Sequence, residues 1–128
     1  MSPDVTILYV EDEVGFQELL IDYCSEEDLD VAIETADNGK EAVQVQQENS
    51  IDCIVSDYHM PKLNGVEMFE QLRERGVSIP VIFYTSSRTI AEQIPAKEQT
   101  PPAAILHKSD STFQEVFEEV CRAVLTEA

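Results

Sequence analysis

Hydrophobic positions in this chain follow two rhythms that take turns. Residues 5–10 (VTILYV) are apolar apart from one threonine, the pattern of a strand buried on both faces. Residues 14–24 then place Phe16, Leu19, Leu20, Tyr23 and Cys24 at helical spacing. Residues 31–36 alternate Val and Ile with Ala and Glu, as a more exposed strand does. Asn38 with Glu41 resembles an N-cap pair and predicts a helix up to Glu48. The run 51–56 (IDCIVS) predicts a third strand. Asn64 with Glu67 repeats the cap signature ahead of Val66, Met68, Phe69 and Leu72, and Gly76 ends that helix. Residues 80–84 predict a fourth strand.

The remainder is less regular. Residues 88–94 predict a short helix, and Pro95, Pro101 and Pro102 interrupt the stretch after it. Residues 103–107 predict a fifth strand. Ser111 with Gln114 opens a final helix whose apolar stripe is Phe113, Val116, Phe117, Val120, Cys121 and Val124. The sum is five βα units. Such alternation implies an α/β fold: a three-layer, doubly wound (βα)5 domain with a parallel five-stranded sheet and right-handed crossovers. Ligands of such sheets bind outside the carboxyl ends of the strands, near the switch in strand order.

Composition narrows the picture. A chain of 128 residues predicts one domain, 1–128. The net charge of −18, from 26 acids and 8 bases, argues against binding nucleic acid, which needs a basic face, and against anionic membranes. It suits a solvated, self-repelling surface, and a salt-rich cell is one setting for it. The cysteines Cys24, Cys53 and Cys121 are odd in number, with no CxxC spacing, and read as buried thiols of a reducing compartment. The start of the chain does not resemble a signal peptide, and no apolar run approaches ~18 residues. The expected location is the cytoplasm.

The predicted strand ends carry the chemistry. Strand one runs into Glu11, Asp12 and Glu13; strand three ends at Asp57; strand four ends at Thr85, Ser86 and Ser87; strand five ends at Lys108. An acid is a poor strand residue, so Asp57 at the tip of an apolar run calls for a reason. Carboxylates ~5 Å apart repel by about 3 kcal/mol per pair at an effective dielectric near ~20. A hard divalent cation relieves this, and Mg²⁺ accepts one or two carboxylates while keeping several waters. Beside such a cation Asp57 is free to act as a nucleophile toward a phosphoryl group. Thr85 would hydrogen-bond a phosphoryl oxygen and Lys108 would supply a point charge to another. The phosphate-cradling motifs GxxxxGK[ST] and GxGxxG are absent, which argues against an NTPase or a dinucleotide enzyme.

The segments ILYVEDE, VSDYHMPKLNGVEMFEQLR, VIFYTS and ILHK, in that order, resemble the receiver domain of two-component response regulators. The resemblance implies a flavodoxin-like sheet of strand order 2-1-3-4-5. It implies that Asp57 accepts a phosphoryl group from a phosphohistidine on a sensor histidine kinase or phosphotransfer protein. It implies Mg²⁺ bound by Asp12, Asp57 and the backbone carbonyl of His59, with Glu11 in the outer acid pocket. Thr85 and Lys108 would bind the phosphoryl group and move with it, signalling to a downstream protein or an effector domain beyond this chain. Met60 and Pro61 would shape the turn after Asp57, and Gly65 would allow the tight start of the third helix.

The chain departs from that pattern in its switch region. Ser109 follows Lys108 where a proline with a cis peptide is usual, and Ile105 stands where an aromatic switch residue is common. The expectation is a different readout, through the loop 87–102. Two other functions compete. An aspartyl-phosphate hydrolase would carry a second Asp two residues after the first, where this chain has His59. A receiver-like binding module without phosphorylation would not need Asp12, Asp57, Thr85 and Lys108 together. Blander roles are assigned elsewhere: Glu13 as a first-turn acid, Tyr84 in packing, Cys53 as an inert thiol, and His59 with His107 as a weak metal pair.

Overall fold

A computed structural model describes residues 5–94 and 101–126. Five strands, β1 (Val5–Val10), β2 (Val31–Ala36), β3 (Cys53–Ser56), β4 (Val81–Thr85) and β5 (Ala104–His107), form one parallel sheet in the order β2-β1-β3-β4-β5. They alternate with α1 (Val14–Glu26), α2 (Gly39–Glu48), α3 (Gly65–Glu74), α4 (Ile90–Gln93) and α5 (Phe113–Thr126). The predicted class and strand order are those observed.

The period of two in the strands sorts the core into two layers. Leu8, Val10, Ile54, Val81 and Phe83 point to one face and pack with Val43 of α2 and with Met68, Phe69 and Leu72 of α3. Ile7, Tyr9, Cys53, Val55, Ile82 and Tyr84 point to the other face, against Leu20 and Cys24 of α1 and Val116, Phe117 and Val120 of α5. Each fully buried Leu, Ile or Phe contributes about 1.5–3 kcal/mol of transfer free energy. These two layers clamp the central strands β1 and β3, whose ends form the site.

The boundaries differ from the sequence reading in instructive ways. Ile51 and Asp52 precede β3 rather than belonging to it. The Thr6 amide donates to Asp52 Oδ2 at 2.8 Å, and the Asp52 amide donates to the Thr6 carbonyl at 2.9 Å. A side-chain oxygen thus takes over the pairing at that edge. The final helix is capped by Thr112, not Ser111: the Glu115 amide donates to Thr112 Oγ1 and the Thr112 amide donates to Glu115 Oε1. Asn64 and Glu67 form the full reciprocal capping box, whereas Asn38 only accepts from the Glu41 amide. Gly76 follows α3 at φ 79°, the left-handed turn that a glycine makes without a steric penalty. Leu19 and Cys121 are exposed, so only Cys24 and Cys53 are buried thiols. Helical periodicity places a residue near the core stripe but does not say how wide the covering layer is. α4 is shorter than predicted, and the interrupting segment 95–100 lies outside the described residues.

Candidate functional site

The carboxyl ends of β1, β3, β4 and β5 meet on one edge. The Asp57 amide donates to the Val10 carbonyl at 3.0 Å, continuing the β1–β3 ladder one residue past β3. That bond holds Asp57 at the tip of a rigid strand. The Asp57 backbone carbonyl is covered by Gly65, where an added Cβ would lie 2.2 Å from it. Only a glycine allows α3 to start so close. The Tyr58 amide donates to Asp57 Oδ1 at 2.7 Å, leaving Oδ2 toward the cleft side with Lys108 Nζ at 3.1 Å.

Glu11 is the surprise of the site. Sequence reasoning placed it in the outer acid pocket; its side chain is fully buried and ion-paired with Lys108. It also accepts from the Glu13 amide at 3.2 Å and from the Tyr9 hydroxyl at 3.4 Å. Burial raises its pKa above the ordinary carboxylate value, while the hydrogen bond and charge of Lys108 pull the other way. Burial likewise opposes the charge of Lys108, but the Glu11 hydrogen bond and the Asp57 charge outweigh it and raise the ammonium pKa. The ammonium lies 4.0 Å from the centre of the Phe16 ring, a cation–π contact from α1. Nothing in the spacing of Phe16 and Lys108 announces that contact. Gln17 braces the same corner, donating to the Glu11 carbonyl at 2.6 Å and to Asp37 Oδ1 at 2.9 Å.

Asp12 is exposed. Its carboxylate, with those of Glu11 and Asp57, offers oxygens that all lie within 4.8 Å of one another. Among the described residues this is the group with the spacing of a metal site, and the two histidines are not part of one. Three carboxylates against one ammonium leave a negative, all-oxygen donor set, the chemistry that a hard divalent cation fits. The open cleft beside it holds about 510 Å³ and is lined by Asp12, Asp57, His59, Ser86, Lys108 and Ser109 among others. His59 therefore borders the cleft.

Thr85 ends β4, pairs with His107 across the β4–β5 ladder, and is fully buried. Its carbonyl accepts from the Lys108 amide at 2.9 Å, and its hydroxyl accepts from the Ser87 amide at 3.1 Å. Thr85 is not among the residues that line the cleft. Ile105 is half-buried against the α2–α3 side of the core. Among the described residues there is no cis peptide bond, so Ser109 follows Lys108 through a trans one. Arg88 bridges the two loops on either side of the cleft, donating to Ser109 Oγ at 2.7 Å and to Asp110 Oδ2 at 2.8 Å. Tyr84 packs in the core and donates to the Ser111 carbonyl at 3.3 Å.

This sheet order, with acids and an ammonium gathered at the carboxyl edge, defines a flavodoxin-like α/β domain with a candidate cation site at that edge. The chain belongs to the response regulator receiver domain family, which it matches over residues 7–110. It is therefore a receiver domain of the two-component class. It is 31% identical over 92 residues to the sensor histidine kinase RcsC of Salmonella typhimurium, covering 72% of this chain and 10% of that protein. It is 33% identical over 90 residues to the response regulator MprA of a Mycobacterium species, covering 70% of this chain and 38% of that protein. The chain thus matches well under half the length of these relatives. Among solved structures, the response regulator TrrA of Thermotoga maritima in complex with Mg²⁺–BeF aligns with a TM-score of 0.78 at 27% identity, over 93% of this chain and 98% of that one. The receiver domain of a Francisella response regulator aligns with a TM-score of 0.83 at 22% identity, over 98% of this chain and 100% of that one, a likeness of fold.

Proposed function

We propose that this chain, acting as one domain over 1–128, accepts a phosphoryl group on Asp57 from a phosphohistidine of a sensor histidine kinase or phosphotransfer protein, with Mg²⁺ as cofactor. The observation that carries the reading is the Asp57 carboxylate on a rigid strand tip, 3.1 Å from the Lys108 ammonium and within 4.8 Å of two further carboxylates. Asp12, Asp57 and the main-chain carbonyl of His59 would hold the cation, with Glu11 behind them. When bound, Mg²⁺ supplies the positive charge that carboxylates and phosphoryl oxygens both need. Glu11 is already neutralised by Lys108, which suits it to a supporting place rather than a primary ligand.

In the transfer, an Asp57 oxygen forms the new P–O bond as the N–P bond of the phosphohistidine breaks. The N–P electron pair stays on the imidazole nitrogen, which takes up a proton. Lys108 stands where it can pair with an incoming phosphoryl oxygen, and Thr85 can reach the group only by turning its hydroxyl out of the loop. That reorientation would be the switch, read by a downstream protein or by an effector domain of a longer protein. The setting is the cytoplasm, and the domain itself is a phosphoacceptor rather than an enzyme acting on a separate substrate.

Incubation with acetyl phosphate and Mg²⁺, read by intact mass, tests this. An adduct of about 80 Da that disappears in Asp57→Asn is expected. No adduct would point to a binding module without phosphorylation. Acetyl phosphate consumed in rapid multiple turnovers would point to a hydrolase.

A further inference from the structure

The distribution of the few cations is uneven. The chain has 8 Lys and Arg against 26 acids, yet Lys40, Lys62 and Arg75 line one groove of about 580 Å³ between α2 and α3. All three are exposed. Among the described residues none of them forms an ion pair, although carboxylates outnumber cations throughout the chain. Glu48 is the one acid lining the groove. Its walls are set by helical spacing: Lys40, Gln44, Gln47 and Glu48 share one face of α2, and Gln71 on α3 lies one turn before Arg75, which caps the end of that helix. Val43 and Leu63 supply a narrow apolar floor. The two ends are locked together, since the Gly39 amide donates to the Leu63 carbonyl at 3.0 Å and an added Cβ on Gly39 would lie 2.4 Å from that oxygen. Lys40 and Lys62 therefore each adjoin a residue of one fixed backbone contact.

We infer that this α2–α3 groove is a docking site for an acidic peptide segment of a partner protein, with carboxylates meeting Lys40, Lys62 and Arg75 and one apolar side chain entering between them over Val43 and Leu63. Charge complementarity selects the occupant. A basic segment would find its cationic partners already present and its counter-charges missing. A second copy of this chain would bring another −18 of net charge against the first. The glutamines on both walls offer donors to the peptide backbone and to carboxylates. At ~0.1 M salt the Debye length is ~10 Å, so the remote acids of the protein are screened while contacts inside the groove persist. The groove and the Asp57 cleft share no lining residue.

Fluorescence anisotropy on the full chain tests it. The probe is a labelled peptide rich in Asp and Glu around a single Leu; the control replaces the acids by Asn and Gln. Binding of the acidic peptide is expected, at least tenfold weakened in the double variant Lys40→Glu, Arg75→Glu and unchanged in Arg122→Glu on α5. The milder pair Lys40→Gln, Arg75→Gln keeps the result decisive if charge reversal unfolds the chain, which circular dichroism would show. Equal binding of the neutral control, insensitivity to both groove variants, or displacement of the peptide by equimolar inorganic phosphate would each overturn the proposal. So would a dimer in sedimentation that only the groove variants dissolve, because the groove would then hold a second copy.

Discussion

Replacing Lys108 by Met keeps the length of the side chain and removes its charge. The magnitude follows from the site. At 3.1 Å and an effective dielectric near 20, the Lys108–Asp57 attraction is about 5 kcal/mol before desolvation. Without the ammonium, Glu11 and Asp57 face each other within 4.8 Å and repel by roughly 3.5 kcal/mol. Removing one partner of a buried charge cluster typically costs about 3–5 kcal/mol, and the lost Phe16 contact adds to it. The variant is therefore expected to lose roughly 3–5 kcal/mol or slightly more at pH ~8 in urea unfolding followed by circular dichroism. The cost must shrink on acidification. Burial already raises the folded-state pKa of Glu11, and loss of Lys108 raises it further. The folded variant then binds more protons than its unfolded chain, so its stability rises as pH falls from ~8 toward ~5.5. Wild type gains less over that range because Lys108 still holds the Glu11 charge in place. A loss under about 1 kcal/mol at pH ~8, or an equal loss at both pH values, would refute the picture of one coupled charge cluster.

Other substitutions probe the scaffold and the thiols. Gly65→Ala drives a Cβ to 2.2 Å from the Asp57 carbonyl, and is expected to cost about 1–3 kcal/mol in urea unfolding and to slow adduct formation from acetyl phosphate. Thr112→Ala removes the cap of α5 and is expected to cost about 1 kcal/mol, whereas Ser111→Ala is nearly silent; equal effects would return the cap to Ser111. Burial pushes the Cys53 thiol up to about 12 and the Cys24 thiol up to about 11, while Cys121 is exposed. Iodoacetamide on the native protein at pH ~8, mapped by peptide mass, should label Cys121 alone. Above pH ~10.5 the stability lent by Lys108 should fade, since its folded-state pKa is raised and the ammonium is lost as pH climbs through it.

Much of this protein was legible in its sequence because local periodicity is a local quantity. The strand runs, the capping signatures at Asn38 and Asn64, and the stop at Gly76 each need only a few neighbouring residues to be read. The acids and the ammonium at strand ends were legible for the same reason: a parallel sheet puts all its carboxyl ends on one edge. Boundaries failed where a neighbour distant in sequence intervened. Asp52 left β3 because Thr6 claimed its side chain, and Thr112 took the cap from Ser111 because its hydroxyl met the Glu115 amide. Leu19 and Cys121 kept helical spacing yet face solvent, because among the described residues no layer covers the outer flanks of α1 and α5 there.

By itself, then, the order of residues determined the five-unit alternation, the parallel sheet and the set of groups gathered at its edge. Only the tertiary structure decided how those groups divide their work. Glu11 and Asp57 compete for one ammonium, and burial decides that Glu11 is enclosed with it while Asp12 stays in solvent. It also brought Lys40, Lys62 and Arg75 to one groove. The reason is physical: periodicity is written along the chain, but desolvation and Coulomb energy depend on distances across it, and those exist only once the layers have closed.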